Sequence, residues 1–297
     1  MKRKDIISRG WLALGLALLA ACSHDSVERL PQTSVQPPMT FRVAHPGETR
    51  ATDTAFEAGD CVGLFVVSDT ASLEVGGNLV SNEKLTLKDD SWVSDRLLYW
   101  DDGTFNVYAY YPYKKVISHI DEEPFCVSTD QSSGNADGQL GGYEASDLLY
   151  ASSKGQKASD EPVLLQFRHI MSKLKIRLVK GEDFNGNMPT TAQVYVHNTV
   201  TDAVFDIGAG VVTRNVRAVG KTIKARQEGD YTYSAIVVPQ RIDSRIPLVE
   251  VVMNDVSYIF ESKFVFKQGM EHRINLIISD NPEQVRIDIG GEVVDWK

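Results

Sequence analysis

The sequence predicts an all-β protein made of β-sandwiches. Short runs of alternating apolar and polar residues dominate the chain, and no window shows a long helical period. In 173–178, Lys or Arg alternates with Leu or Ile, as expected for a strand with one solvent-facing and one packed face. Turn signals rich in Gly, Asn and Asp separate such runs, which is typical of sandwiches. Further alternating runs lie at 41–43, 194–196, 231–235, 264–266 and 274–278.

The first residues of the chain predict export as a lipoprotein. Basic residues at the start are followed by an apolar run over 11–21, which is shorter than the roughly 20 apolar residues that a membrane span requires. Small residues close this run immediately before Cys22. The pattern predicts a signal peptide over 1–21, lipid on Cys22 and a polar tether over 22–38.

Charge and cysteine content limit the possible partners and bonds. Loss of 1–21 takes the net charge from −9 to −12, because it removes four positive charges and one negative charge. Such a chain is not expected to bind nucleic acid or anionic lipid. An exported chain permits a disulfide between Cys61 and Cys126. Because Cys61 begins an apolar strand, 61–67, we instead expect two buried free thiols.

A polar stretch near the middle of the chain, 152–162, is the predicted domain boundary. It separates an N-terminal sandwich, 39–155, from a C-terminal sandwich, 156–297, each of ordinary domain size. The glycine-rich segment 121–142 is predicted to be an exposed excursion of the first domain, long enough to serve a function.

The sequence carries no motif for catalysis, metal binding or cofactor binding. Zinc-protease and paired-cysteine spacings, a nucleophile elbow, a phosphate loop and the Rossmann glycines are all missing. A glycosidase stays open, because two distant carboxylates can meet in a fold. Asp130, Asn135 and Asp137 could offer oxygens to calcium, but without an ordered loop motif we expect a solvated loop. His169, within an apolar run, is expected to be a hydrogen-bonded structural histidine.

An aromatic-rich stretch from Trp92 to Tyr113 has two interpretations. Rings that face outward could stack on sugars, whereas rings that face inward belong to the core. Bulky residues on both faces of 105–111 favour a strand buried on two sides. A glycan-binding surface lipoprotein, using this stretch or the segment 121–142, is the alternative function.

Motifs in a fixed order along the chain resemble the Bacteroidales fimbrillin family. The family's opening and aromatic strand correspond to 50–65 and 100–112. Its central junction corresponds to 147–151 with 165–176, and its ending to 295–296. The resemblance implies two transthyretin-like β-sandwich domains in tandem. It also implies a structural subunit or adhesin of cell-surface fimbriae, with no catalysis and no cofactor.

The resemblance further implies a route of assembly. The subunit would be lipid-anchored (palmitate) in the outer membrane, trimmed by an extracellular trypsin-like protease, and polymerised with identical or different fimbrial subunits by strand exchange. A host or bacterial surface ligand would be a further partner. In this chain the cut would fall between Arg50 and Ala51, with Arg29 and Arg42 as competing sites. The strand at 41–43, with Phe41 and Val43, would then leave with the lipid.

Removal of that strand would expose unpaired backbone and an apolar trough, which suits β-augmentation by another chain. The candidate donor carries Val285, Ile287 and Ile289, whose alternation fits a half-buried strand, with 290–291 as a hinge. The alternative is a last strand paired within its own domain. Stalk, anchor and tip roles all remain open.

Overall fold

The computed structural model describes residues 36–46, 55–136, 139–281, 286–288 and 292–296. Within these ranges the chain consists of β-strands, loops and one 3₁₀ turn at Glu144–Ser146, without an α-helix, which confirms the predicted all-β class. In chain order the strands are β1 (Phe41–Ala44), β2 (Cys61–Ser68), β3 (Val80–Lys88), β4 (Ser91–Ser94), β5 (Phe105–Tyr111), β6 (Glu123–Cys126), β7 (Leu149–Gln156), β8 (Val163–Gln166), β9 (Arg168–His169), β10 (Ser172–Lys180), β11 (Gln193–Thr199), β12 (Asp202–Asp206), β13 (Val211–Arg214), β14 (Lys221–Lys224), β15 (Arg226–Gly229), β16 (Thr232–Val237), β17 (Gln240–Met253), β18 (Val256–Phe266), β19 (Met270–Ile278), β20 (Arg286–Asp288) and β21 (Val293–Asp295).

These strands form five sheets in the described part of the chain. The N-terminal sheet has the order β4-β3-β2-β5-β7-β9, and a separate parallel pair joins β1 to β8. The C-terminal sheet has the order β15-β16-β10-β19, with β20 and β21 both beside β19. A four-stranded sheet, β14-β11-β17-β18, and a three-stranded sheet, β13-β12-β6, complete the fold.

The N-terminal sheet is packed on both faces. In β5, Ala109 and Tyr111 belong to a smaller apolar cluster that also contains the inward side chains of β8. The neighbouring Tyr108 and Tyr110 belong to a larger cluster that contains most buried residues of the second half. The predicted strand buried on two sides is therefore confirmed, because alternate residues of one strand enter two different cores.

One charged residue of the alternating run 173–178 does not face solvent. Leu174 and Ile176 are buried as expected, but Lys173 is buried as well. Its Nζ lies 3.5 Å from Oε1 of Glu228 and 3.4 Å from Oε2 of Glu271. Two carboxylates of the same sheet, from β15 and β19, compensate the buried charge, which is the usual condition for burying a lysine.

The segment 121–142 is exposed over 132–136, as predicted, but its first part is not a free excursion of the first domain. Its first part forms β6, which pairs antiparallel with β12 of the second half. Gln131 is fully buried, and its side-chain amide bonds the backbone of Ile236 in both directions, at 2.8 Å each. A glutamine amide carries both a donor and an acceptor, so it can pair with a strand as another strand would.

The division into sandwiches at 155 and 156 stays a prediction. β7 ends at Gln156, and an exposed loop over 157–162 follows it, in agreement with the polar composition there. Beyond this loop, β8 pairs with β1 and β9 pairs with β7. Strand pairing with the first half thus continues as far as His169.

Both cysteines in the described ranges are free thiols, as expected. Cys61 is half-buried, and its Sγ lies 3.2 Å from the carbonyl oxygen of Gly59. Cys126 is exposed, so its predicted burial is wrong. It ends β6, where the strand leaves its pairing with Asp202 of β12.

Candidate functional site

The predicted site residues fall partly within the described structure. Phe41 and Val43 lie in β1, and the backbone of Ile287 lies in β20. The remaining predicted residues lie outside the described ranges: Cys22, Arg50, Ala51, Val285 and Ile289.

β1 is a short strand that covers an apolar core. It pairs in parallel with β8, with Phe41 opposite Val163 and Val43 opposite Leu165. Phe41 and Val43 are half-buried and pack against the smaller apolar cluster, whereas Arg42 between them is exposed. The alternation anticipated from the sequence therefore places one face of β1 on the core.

The other edge of β1 borders an open groove. The groove has a volume of about 730 Å³ and separates β1 from β4. Its apolar lining comes from both strands and from the segments beside them: Phe41, Val43, Phe56, Leu85, Trp92 and Leu98. Among the described strands β1 has one pairing partner, β8, so the groove-side edge of β1 is free of strand pairing.

The residues on each side of β1 hold it in place. Before the strand, the backbone N–H of Met39 donates to the carbonyl of Leu98 at 2.8 Å, and Met39 is buried. After the strand comes His45, which is also buried. Its ring lies edge-on to Phe56 at 5.0 Å and to His169 at 5.9 Å between centroids. Burial, together with the nearby His169 ring, lowers the pKa of His45 to about 4.

His169 connects this segment to the C-terminal end of the fold. Its Nδ1 lies 2.8 Å from Oδ1 of Asp147 in a buried contact, which confirms the predicted hydrogen-bonded structural histidine. A second neighbour of the His169 ring is Trp296. The two rings are stacked, with 3.8 Å between their centroids and an angle of 4° between their planes. We name His45, Phe56, Asp147, His169 and Trp296 the His169 junction.

Trp296 is held by the C-terminal sheet. It follows β21, which pairs antiparallel with the start of β19, and its backbone N–H donates to the carbonyl of Gly269 at 2.9 Å. The Nζ of Lys173 lies 5.8 Å from the centre of the Trp296 ring. The sequence pointed to His169 and to Asp295-Trp296 separately, but no sequence signal showed that the two meet at one buried site.

The candidate donor segment is engaged within its own chain. Ile287 in β20 lies opposite Leu276 of β19, and the pairing is antiparallel. The backbone arrangement is that of the alternative stated above, in which the last strands pair within their own domain. Use of this segment as a donor would first require β20 to leave β19.

The aromatic stretch belongs mainly to the core. Trp100, Tyr108, Tyr110 and Tyr111 are buried, and Trp92 is half-buried beside Phe56. The described aromatic residues of this stretch therefore do not form a broad sugar-stacking platform.

The calcium interpretation of the loop after β6 finds no support in the described atoms. Asp130 Oδ1 accepts from the backbone N–H and the hydroxyl of Ser132, and Asn135 Oδ1 accepts from the N–H of Gly141. Asp137 lies outside the described ranges. No group of three or more His, Cys, Asp or Glu within those ranges has an arrangement that could hold a metal ion. Nor does any described helix have the length and hydropathy to cross a bilayer.

Comparison with known proteins places the chain in a family. Residues 49–296 match the family described as "Fimbrillin-like". The protein named "Putative fimbrium subunit Fim1C" from Bacteroides uniformis is 24% identical, over 100% of this chain and 96% of its own length.

Solved structures share the fold. A "putative cell adhesion protein" from Bacteroides uniformis is 20% identical with a TM-score of 0.66, covering 88% of this chain and 98% of its own. A fimbrial protein from Bacteroides vulgatus is 15% identical with a TM-score of 0.53, covering 88% and 99%. These relatives are fimbrial and adhesion proteins rather than enzymes, in agreement with the non-enzymatic prediction. The chain belongs to the fimbrillin-like family.

Proposed function

We propose that this chain is a structural subunit of cell-surface fimbriae, exported as a lipoprotein through Cys22 and assembled by protease-triggered strand exchange. The observation that carries the proposal is β1, a short strand that covers an apolar core and has a free edge on an open groove. Such a strand can be removed and replaced more readily than a strand inside a sheet.

The contacts of β1 are few enough for release. Full burial of one large aliphatic or aromatic side chain stabilises a fold by about 1.5–3 kcal/mol. Phe41 and Val43 are only half-buried and Met39 is buried, so docking of the segment contributes on the order of a few kcal/mol. A cut after Arg50 would leave the segment joined to the fold by these contacts, by the pairing of β1 with β8, by the backbone bond from Met39 to Leu98 and by the buried His45.

The site left by β1 would suit an incoming strand from another subunit. Val163 and Leu165 of β8 point into the smaller cluster, and their backbone would lose its partner along 41–44. A donor with alternating apolar residues would restore the backbone hydrogen bonds and cover the core. The segment with Val285, Ile287 and Ile289 has this alternation.

Limited proteolysis tests the proposal. The chain from residue 23 onward is treated with a low dose of trypsin, and the new N-terminus and the assembly state are determined by sequencing and negative-stain electron microscopy. We expect a cut before Ala51 and the appearance of filaments. The matched control is Arg50→Gln, which should stay monomeric at the same dose.

A clean cut before Ala51 that yields only monomers would contradict assembly by release of β1. Filaments after a cut at Arg29 would also contradict it, because that cut leaves β1 attached to the rest of the chain. Filaments after a cut at Arg42, which lies inside β1, would move the processing site and limit the released part of the strand to Phe41 and Arg42. Variants Arg29→Gln and Arg42→Gln separate these outcomes.

A further inference from the structure

The outer strand of the four-stranded sheet has an unpaired edge. β18 is the last strand in the order β14-β11-β17-β18, and none of the other described strands pairs with its outer side. It is 11 residues long. An exposed edge of this length is a template for a further strand unless charge or geometry blocks it.

The two faces of β18 are sharply different. The exposed face carries Ile259, Glu261, Lys263 and Val265. On the other face, Phe260 and Phe264 are half-buried, and Tyr258 and Phe266 at the ends are buried. A strand added to this edge would continue both faces, and it would cover the half-exposed rings.

The residues of β18 are arranged symmetrically about Ser262. Matched residues lie the same number of positions before and after Ser262. They are two opposite charges, two half-buried phenylalanines, two exposed aliphatic residues and two buried aromatic residues. The matched positions are Glu261 with Lys263, Phe260 with Phe264, Ile259 with Val265, and Tyr258 with Phe266.

We infer that β18 is a contact between two copies of this chain, paired antiparallel about a two-fold axis through Ser262. Glu261 of each copy then lies opposite Lys263 of the other, and Ile259 lies opposite Val265. On the covered face the phenylalanines at 260 and 264 meet. Opposite charges and matched apolar side chains at facing positions are the contacts that stabilise antiparallel strands.

The backbone of β18 is in the correct phase for this pairing. Asn254 and Asp255, between β17 and β18, have φ of 49° and 60°, as in a type I′ two-residue turn. Met253 and Val256, which flank this turn, then form a hydrogen-bonded pair. Along β18, the residues whose backbone N–H and C=O groups point away from β17 are therefore the odd-numbered ones. In a pairing centred on Ser262, each odd-numbered residue lies opposite an odd-numbered residue of the other copy. The outward backbone N–H and C=O groups of the two copies therefore face each other.

The charges also select this register over its neighbours. An axis moved by one residue would place Glu261 opposite Glu261, or Lys263 opposite Lys263. Facing like charges are destabilising, so Glu261 and Lys263 favour the register centred on Ser262 over the registers on either side of it. An isologous two-fold contact ends at the dimer. It is therefore a lateral contact that needs neither β1 nor the C-terminal strands.

Cysteine cross-linking in cells tests the contact on the full chain. Ser262→Cys, in a chain that also carries Cys61→Ser and Cys126→Ser, is oxidised at the cell surface and analysed on a non-reducing gel. A residue on the axis meets its own copy, so we expect a disulfide-linked dimer. The matched control is Ser257→Cys, an exposed position on the same strand that lies away from the axis and should give no dimer.

Charge reversal then tests the register. Glu261→Lys or Lys263→Glu, each added to Ser262→Cys, should weaken the cross-linked band by about fivefold to tenfold, because each change opposes like charges twice. The double reversal, or mixing the two single variants, should restore it. These side chains are exposed, so we expect each variant to fold, and circular dichroism spectra of the variants check this.

Absence of the Ser262→Cys dimer would overturn the inference, and so would a dimer that is insensitive to the charges and equally strong with Ser257→Cys. Adding Arg50→Gln distinguishes this contact from strand exchange. Retention of the dimer supports a lateral contact, whereas its loss would mean that the dimer depends on processing and would contradict the inference.

Discussion

His169 holds three parts of the chain together through one buried ring. Asp147 accepts a hydrogen bond at Nδ1, Trp296 stacks on the ring face, and His45 approaches it edge-on. His45 directly follows β1, and Trp296 directly follows β21. A single imidazole therefore contacts both the segment proposed to leave and the C-terminal end of the described fold.

Truncation of this ring should destabilise the whole fold. His169→Ala removes the partner of the buried Asp147 carboxylate and opens a cavity beneath Trp296. We expect the free energy of unfolding to fall by about 3–5 kcal/mol, measured by urea denaturation. The control is His197→Ala, a half-exposed histidine paired with Glu250, which should cost under about 1 kcal/mol. Equal losses from the two variants would contradict a special role of the junction.

Acid should weaken the fold through its buried histidines. Burial lowers the pKa of His45 and of His272 to about 4, with contributions from His169 and Lys267 respectively. The unfolded chain, with an ordinary histidine pKa near 6.5, then binds protons that the folded chain does not bind. Stability is therefore complete above about pH 6.5 and falls as the pH drops toward 4.

The loss at each histidine is at most about 3 kcal/mol over this interval. Unfolding free energies at pH 7, 6, 5 and 4.5 measure it. His45→Gln should flatten the pH dependence, whereas the exposed control His119→Gln should not. An unchanged slope in His45→Gln would show that other groups dominate.

At the scale of the strand, β1 combines a packed face with weak attachment. Its single described pairing partner is β8, and the groove lies along its other edge. The strands of the N-terminal sheet interior, such as β5, are paired on two sides and buried on two faces. The proposed assembly uses a strand with one described pairing partner, whose departure leaves the six-stranded N-terminal sheet intact.

Weaker packing of β1 should speed proteolytic processing. Phe41→Ala with Val43→Ala removes apolar contact of roughly 1 kcal/mol at each position, so the detached form should rise about tenfold or more. The rate of cutting before Ala51 should rise with it, because a protease acts on the open form. The control is Arg42→Gln, on the exposed face of the same strand, with an unchanged rate. An equal rate in the double variant would show that the processed segment opens independently of β1.

At the scale of the whole molecule, the two halves of the described chain share structure. The larger apolar cluster contains side chains from both halves, including the contacts of Tyr110 and Tyr150 with Phe205. β6 from the first half completes a sheet with β12 and β13. We expect the halves to unfold together, since removal of either would expose the core of the other.

Lipid attachment should govern location without affecting this core. Cys22→Ser should abolish palmitate labelling and release the chain from the outer-membrane fraction, with its unfolding midpoint unchanged. Cys126→Ser, at an exposed thiol, is the control and should change neither the palmitate labelling nor the amount of the chain in the outer-membrane fraction. Labelling that persists in Cys22→Ser would contradict the lipoprotein proposal.

Local pattern was sufficient for several features of this protein. Alternating residues determined the all-β class, and bulky residues on both faces of 105–111 determined that β5 is buried on two sides. An apolar run around His169 predicted a structural histidine. These features depend on neighbouring residues along the chain, whose period reports directly which side chains a strand must bury.

Tertiary structure alone decided how distant segments meet. Gln131 bonds Ile236 across 105 positions, and His45 and Trp296 meet at His169. Burial of Lys173 depends on two glutamates from other strands, and exposure of Cys126 depends on where β6 pairs. In each case the partner lies far away in the sequence. The alternation within a strand specifies which side chains are buried, but it carries no information about which other strand will cover them.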